Sequence, residues 1–203
     1  MCQQDEVDLV FVLDASESVT QENFDILKQF TKDFLSVADI DGGHVRVGLN
    51  VYSSTTVVAF HLNTHNNKDD VIKAIDRLEY QHGGASDVTD ALDSMRLDMF
   101  TPANGDRHNV SNVAMVITGG NSRGDPRSSA NEARNEGIHI YAIGIGASSV
   151  TELKGIADKA SDVFSIGSIQ LSSGRGVLSL LDHDGQQTDL QTEVFGAACG
   201  KLL

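Results

Sequence analysis

Three short runs constrain this chain more than any other feature: LVFVL at 9–13, VAMVI at 113–117 and IYAIGI at 140–145. None shows the polar alternation of a half-exposed strand. Strands of this kind are covered on both faces, the habit of a parallel sheet in an α/β fold. Between them lie segments with helical periodicity. Residues 19–39 place Phe24, Leu27, Phe30 and Phe34 on one helical face, with Thr20 as the expected N-cap and Gly42-Gly43 past the end. Residues 67–80, 86–100, 128–137 and 150–159 read as further helices, and 162–169 as another strand. The runs 45–54 and 55–62 are joined by too tight a Ser/Thr turn for a crossover, so they form an antiparallel hairpin whose second strand is an edge. The expected fold is α/β: a doubly wound, mostly parallel central sheet with one antiparallel edge strand and helices on both faces.

The length of 203 residues suits a single domain over 1–203. One stretch departs from the alternation. Residues 170–187, QLSSGRGVLSLLDHDGQQ, separate the last strand from a final helix expected at 188–200 with more chain than a turn needs. This insertion reads either as a hairpin turning at SSGRG or as a mobile loop.

Charge narrows the partners. With 15 basic and 29 acidic residues the net charge is −14, which disfavours nucleic acid and anionic membrane and favours cations, basic partners or mineral. No apolar run approaches a membrane span, and Met1 followed by CQQDEVD reads as the start of a mature fragment. Cys2 and Cys199 stand at opposite ends of the chain. Domain termini often lie close together, so a disulfide between them is expected in preference to two free thiols, and it implies an oxidising, extracellular compartment. Asn109-Val110-Ser111 is an N-glycosylation sequon, consistent with secretion.

Oxygen-bearing side chains collect where the strands end. Asp14-Ala15-Ser16-Glu17-Ser18 follows the first strand, Gly83-Gly84-Ala85-Ser86-Asp87 precedes a helix, and Thr118-Gly119-Gly120-Asn121-Ser122 follows VAMVI. In a doubly wound sheet ligands bind beyond the carboxyl ends of the strands. The donors are hydroxyls and carboxylates, a set for Mg²⁺, Mn²⁺ or Ca²⁺ rather than zinc. A plainer reading leaves the first loop as a helix cap. His82 reads as a solvated loop histidine before it reads as a ligand. Gly144-Ile145-Gly146 does not complete a dinucleotide fingerprint; neither a P-loop nor a Gly-x-Ser-x-Gly elbow occurs.

DLVFVLDASES, GGASDVTDAL, MVITGGNS and IYAIGIG together resemble the von Willebrand factor type A domain, across essentially the whole chain. The resemblance implies a Rossmann-like fold and a metal-ion-dependent adhesion site. It makes Asp14, Ser16, Ser18 and Ser86 the ligands of a weakly held divalent cation, Mg²⁺ before Mn²⁺ or Ca²⁺. Gly119 stands where the family has a second aspartate, which leaves one carboxylate; Glu17 and Asp87 are near enough in sequence to compensate. It further implies a non-catalytic, secreted adhesion or assembly module of the extracellular matrix. Collagen or another matrix protein would complete the ion's coordination with an acidic residue, and copies of the same domain are further candidate partners. A terminal disulfide would suit such a domain. The alternative is an acidic, calcium-binding, mineral-associated structural protein. An enzyme with a metal-activated water is the remoter reading, with only Glu17 or Asp87 as a base.

The bridge has a direct check. The intact, unreduced chain should weigh less than the reduced chain by the two thiol hydrogens, and reduction should lower the melting temperature by removing a long-loop constraint. Two thiols that titrate in the native protein would exclude it.

Overall fold

The computed structural model describes residues 6–81, 84, 86–120, 122–146, 148–166, 180–182 and 187–188, the last two stretches by backbone alone. Cys2, Cys199, His82, most of the 170–187 insertion and all but the first residue of the expected last helix lie outside the described residues.

Eight strands form one sheet: β1 (Val7–Asp14), β2 (Val45–Tyr52), β3 (Thr56–Phe60), β4 (Ser111–Thr118), β5 (His139–Ile145), β6 (Val163–Ile166), β7 (Leu180–Asp182) and β8 (Gln187–Thr188). Their spatial order is β3-β2-β1-β4-β5-β6-β7-β8. Strands β2, β1, β4, β5 and β6 are parallel, and β3 is antiparallel at one edge, as the tight turn requires. At the other edge β7 pairs antiparallel with β6, and β8 with β7. Thr188, the expected start of the last helix, is in β8 instead.

The helices are α1 (Thr20–Leu35), α2 (Lys68–Asp76), α3 (Val88–Ser94), α4 (Arg127–Asn135) and α5 (Val150–Ile156). After α3 the chain runs on through a π-helical turn, Met95–Met99. Every residue of β1 is buried, because both faces of the sheet are covered. Leu9, Phe11 and Leu13 pack with Phe24, Phe34, Val71 and Ile75 from α1 and α2. Val10 and Val12 pack with Ala91, Leu92, Ala130 and Leu153 from α3, α4 and α5. Thr20, the expected N-cap, is instead the first residue of α1, after Val19 in the N-cap position, and its Oγ1 accepts from Asn23 N–H (3.4 Å); Asn67 caps α2 by accepting from Asp70 N–H (2.9 Å) and Asp87 caps α3 by accepting from Thr89 N–H (3.1 Å).

One polar group in β1 belongs to neither core. Asp8 is fully buried, and burial raises its pKa above the ordinary value despite two short hydrogen bonds from Arg107. Arg107 donates Nε to Asp8 Oδ1 (2.8 Å) and its backbone N–H to Oδ2 (2.7 Å). Its remaining guanidinium nitrogens donate to the carbonyls of Gly43, Val7 and His44. One arginine thus joins the amino ends of β1 and β2 to the segment before β4. Such a pair stabilises little in total, but breaking it strands a buried charge. Arg107→Ala should lower unfolding stability by about 3–5 kcal/mol in a denaturant titration, while a loss under 1 kcal/mol would show that the pair is dispensable.

Candidate metal-binding site

The strand order runs 3-2-1 to one side of the sheet and 4-5-6 to the other, so it reverses between β1 and β4. At that point a crevice opens beyond the carboxyl ends, because the crossovers on the two sides go to opposite faces. Asp14 ends β1 and Thr118 ends β4. Both are buried there.

Asp14 is the hub. Its Oδ1 accepts Ser16 N–H (2.9 Å), and its Oδ2 accepts Gly119 N–H (3.0 Å), Thr118 Oγ1–H (3.2 Å) and Ser86 Oγ–H (3.4 Å). The Thr118 hydroxyl also lies 3.1 Å from the Gly120 carbonyl, a second acceptor for its single proton. Ser16 and Ser18 share a hydrogen bond of 2.8 Å. Glu17 N–H donates to the Gly84 carbonyl (3.4 Å), and Tyr80 Oη–H to the Ser16 carbonyl (3.0 Å), which hold the first loop against the second. All four oxygen residues read from the sequence, Asp14, Ser16, Ser18 and Ser86, therefore meet at one place. Thr118 joins them; its signal was its position as the last residue of a buried strand beside Asp14.

The two acidic neighbours do other things. Asp87 caps α3, and Glu17 is exposed. The second carboxylate in the neighbourhood is Glu152, in the first turn of α5. Its two oxygens each lie 3.0 Å from Ser122 N–H. Burial raises its pKa; the Ser122 hydrogen bond opposes this, and the charges of Asp14 and Asp125 add to it. Sequence reading missed Glu152, because nothing in VTELKGIADK separates it from an ordinary first-turn glutamate. Tyr52, fully buried on β2 opposite Asp14, has its phenol pushed well above its ordinary pKa, by burial first and then by the Asp14 charge. Its hydroxyl lies towards Thr118 and Ser86 without a hydrogen bond of good geometry.

The two glycines after Thr118 have a packing reason. A Cβ at Gly119 would stand 2.5 Å from Val19 Cγ2, and one at Gly120 would stand 2.7 Å from Ser18 Cβ and Oγ. The β4 loop is pressed against the β1 loop, and fully buried Val19 fills the space that a side chain at 119 would need. Backbone strain is not the obstacle, since Gly119 does not have positive φ.

The donors suit a hard cation in kind. They are all oxygens, and adjacent ligands in an octahedron of 2.0–2.1 Å bonds sit about 2.9 Å apart, close to the Ser16–Ser18 separation. Asn109 of the sequon is exposed in the turn before β4, at φ 64°.

Comparison with known proteins agrees with this geometry. The family model of the von Willebrand factor type A domain matches residues 8–173. The chain belongs to that family. Its relatives include mouse collagen alpha-6(VI) chain, 33% identical over 163 residues, covering 80% of this chain and 7% of the collagen. Mouse matrilin-4 is 34% identical over 165 residues, covering 80% of this chain and 26% of the matrilin. Among solved structures, proximal thread matrix protein 1 of the mussel byssus, with zinc in its MIDAS motif, superposes with a TM-score of 0.77. It is 26% identical, covering 81% of this chain and 44% of that one. This type A domain thus falls in the matrix-protein branch, and it spans only a small part of the curated relatives' length.

The Val19 contact changes what a restored aspartate would do. Gly119→Asp should destabilise the domain by about 1–3 kcal/mol through overpacking. Val19→Ala should recover much of that loss, so the double variant is more stable than the two single losses together imply. Strict additivity in thermal or chemical melts would show that Val19 does not occupy that space.

Proposed function

We propose that this type A domain is a non-catalytic adhesion and assembly module of the extracellular matrix, secreted, which binds a matrix protein such as collagen through a divalent cation. Asp14, Ser16, Ser18 and Ser86 hold the ion directly or through water, and an acidic residue of the partner completes its shell. The observation that carries this reading is the buried Asp14 carboxylate at the switch point, bonded by the hydroxyls of Ser86 and Thr118, with the Ser16–Ser18 hydroxyl pair on its own loop. The likeness to collagen chains, matrilins and a byssal matrix protein supports the matrix setting.

Charge sets the mode of action. With Gly119 in place of a second aspartate, Asp14 is the single carboxylate among these donors, so a bound dication keeps about one unit of positive charge. Glu152 lies close enough to feel Asp14, yet its oxygens are taken up by Ser122 N–H. The residual charge is available to a partner's carboxylate. Loading the ion and binding the partner then favour each other reciprocally. Mg²⁺ fits the oxygen set best, with Mn²⁺ and Ca²⁺ next.

Calorimetric titration of Mg²⁺ and Mn²⁺ into wild type and Asp14→Ala, with and without a collagen peptide containing glutamate, tests this. Wild type should bind weakly alone and at least about tenfold more tightly with the peptide, a coupling of roughly 1.4 kcal/mol. Asp14→Ala should lose both. If Asp14→Ala binds Mg²⁺ and Mn²⁺ as wild type does, Asp14 holds no ion and the loop only caps a helix.

A further inference from the structure

A second cluster lies at the opposite end of the sheet. His139 opens β5, and Val113↔His139 and Thr118↔Gly144 are paired in register, so His139 is five residues, about 17 Å, from the switch-point end. Asp158 follows α5, and its N–H donates to the Ile140 carbonyl (2.9 Å), which fixes it beside the start of β5. Asp162 immediately precedes β6, whose Val163 pairs with Ala142. These three residues therefore converge from three consecutive elements, and one ligand atom of each lies within 4.8 Å of the others.

The contacts are unusual for a simple ion pair. Asp162 is 8% exposed, and its Oδ2 is buried without a hydrogen bond. That oxygen lies 3.1 Å from His139 Nε2, which is likewise buried and without a hydrogen bond. The two atoms are near each other but misaligned for N–H···O bonding. A divalent ion bonded to both at ~2.0–2.2 Å would hold them about 3 Å apart, with the ion off the line between them. Asp158 Oδ2 lies 3.4 Å from the other ring nitrogen, Nδ1. A metal on Nε2 needs the neutral imidazole with its proton on Nδ1, the nitrogen that Asp158 approaches. Tyr141 packs on the ring at 4.6 Å between centroids and steadies its orientation.

We infer that His139 Nε2 and Asp162 Oδ2 form a second cation site, for a borderline transition metal of the zinc class, with Asp158 orienting the imidazole. The mixed nitrogen and oxygen donors favour such an ion over Mg²⁺ or Ca²⁺. The remaining coordination positions are open to water or to a donor from a neighbouring molecule. A bound ion would tie the start of β5 to the turn before β6, and so stabilise the folded domain by linkage. The site is independent of the Asp14 site and of the function proposed for it.

The experiment uses Zn²⁺ alone, titrated calorimetrically into the full chain in the Asp14→Ala background, with a parallel thermal melt. One Zn²⁺ should bind and raise the melting temperature. His139→Gln should abolish both effects, Asp162→Asn should weaken binding about tenfold or more, and Asp158→Asn should weaken it less. Long-range ¹H–¹⁵N spectra of the imidazoles should show the His139 Nε2 resonance shifting with Zn²⁺ while Nδ1 stays protonated. Melting of the metal-free variants controls for folding. The inference is overturned if His139→Gln, still folded, binds Zn²⁺ as its parent does, or if Asp14→Ala alone removes all Zn²⁺ binding. It is also overturned if His139 Nε2 remains protonated in saturating Zn²⁺, the signature of an imidazolium held between two aspartates. None of these results bears on whether Asp14 holds Mg²⁺.

Discussion

The carboxylate of Asp14 has to be satisfied at the buried end of a central strand, and the three loops around it are arranged by that demand. A charge of this kind, taken out of water, needs hydrogen bonds or a cation. Here the backbone of Ser16 and Gly119 and the hydroxyls of Ser86 and Thr118 supply the hydrogen bonds, each from a different approach. The position follows from topology. Only where strand order reverses do two neighbouring crossovers leave to opposite faces, and only there is there room beyond β1 and β4 for loops to converge.

Close packing of two of those loops explains the departure from the family pattern. The Gly119-Gly120 pair lets the β4 loop lie directly against Val19 and Ser18, and Val19 takes the volume that a second acidic side chain would need. A side chain at 119 would therefore have to displace Val19. The electrostatic consequence is a site with less negative charge to neutralise an ion and more residual attraction for an external carboxylate. Glu152, from a helix that follows β5, lies nearby, and the field of Asp14 helps to raise its pKa.

The amino end of the sheet solves the same problem with different chemistry. Asp8 is buried in the strand that ends in Asp14, and Arg107 answers it with a fork that also gathers three carbonyls. Farther along that end, His139 and Asp162 keep two buried polar atoms side by side without a hydrogen bond between them. The buried charges of Asp8 and Asp14 thus lie at opposite ends of one strand.

Much of this was legible along the chain. Unalternated apolar runs, a 3.6-residue stripe of phenylalanines and a turn too short for a crossover determine an α/β sheet with β3 antiparallel at its edge, because those patterns report burial and local reach. Asp14, Ser16 and Ser18 were readable for a similar reason, since hydroxyls and a carboxylate on alternate residues after a buried strand have no packing role; Ser86 joined them only through the family resemblance. The antiparallel β7 and β8 at the far edge were left open between a hairpin and a loop, since the inserted residues carry neither a clear period of two nor one of 3.6. Glu152, the Val19–Gly119 contact and the meeting of His139 with Asp158 and Asp162 were decided by tertiary structure alone. Each joins residues that are far apart in sequence or that look ordinary where they stand, and only the packing of strands and crossovers brings their atoms within bonding distance.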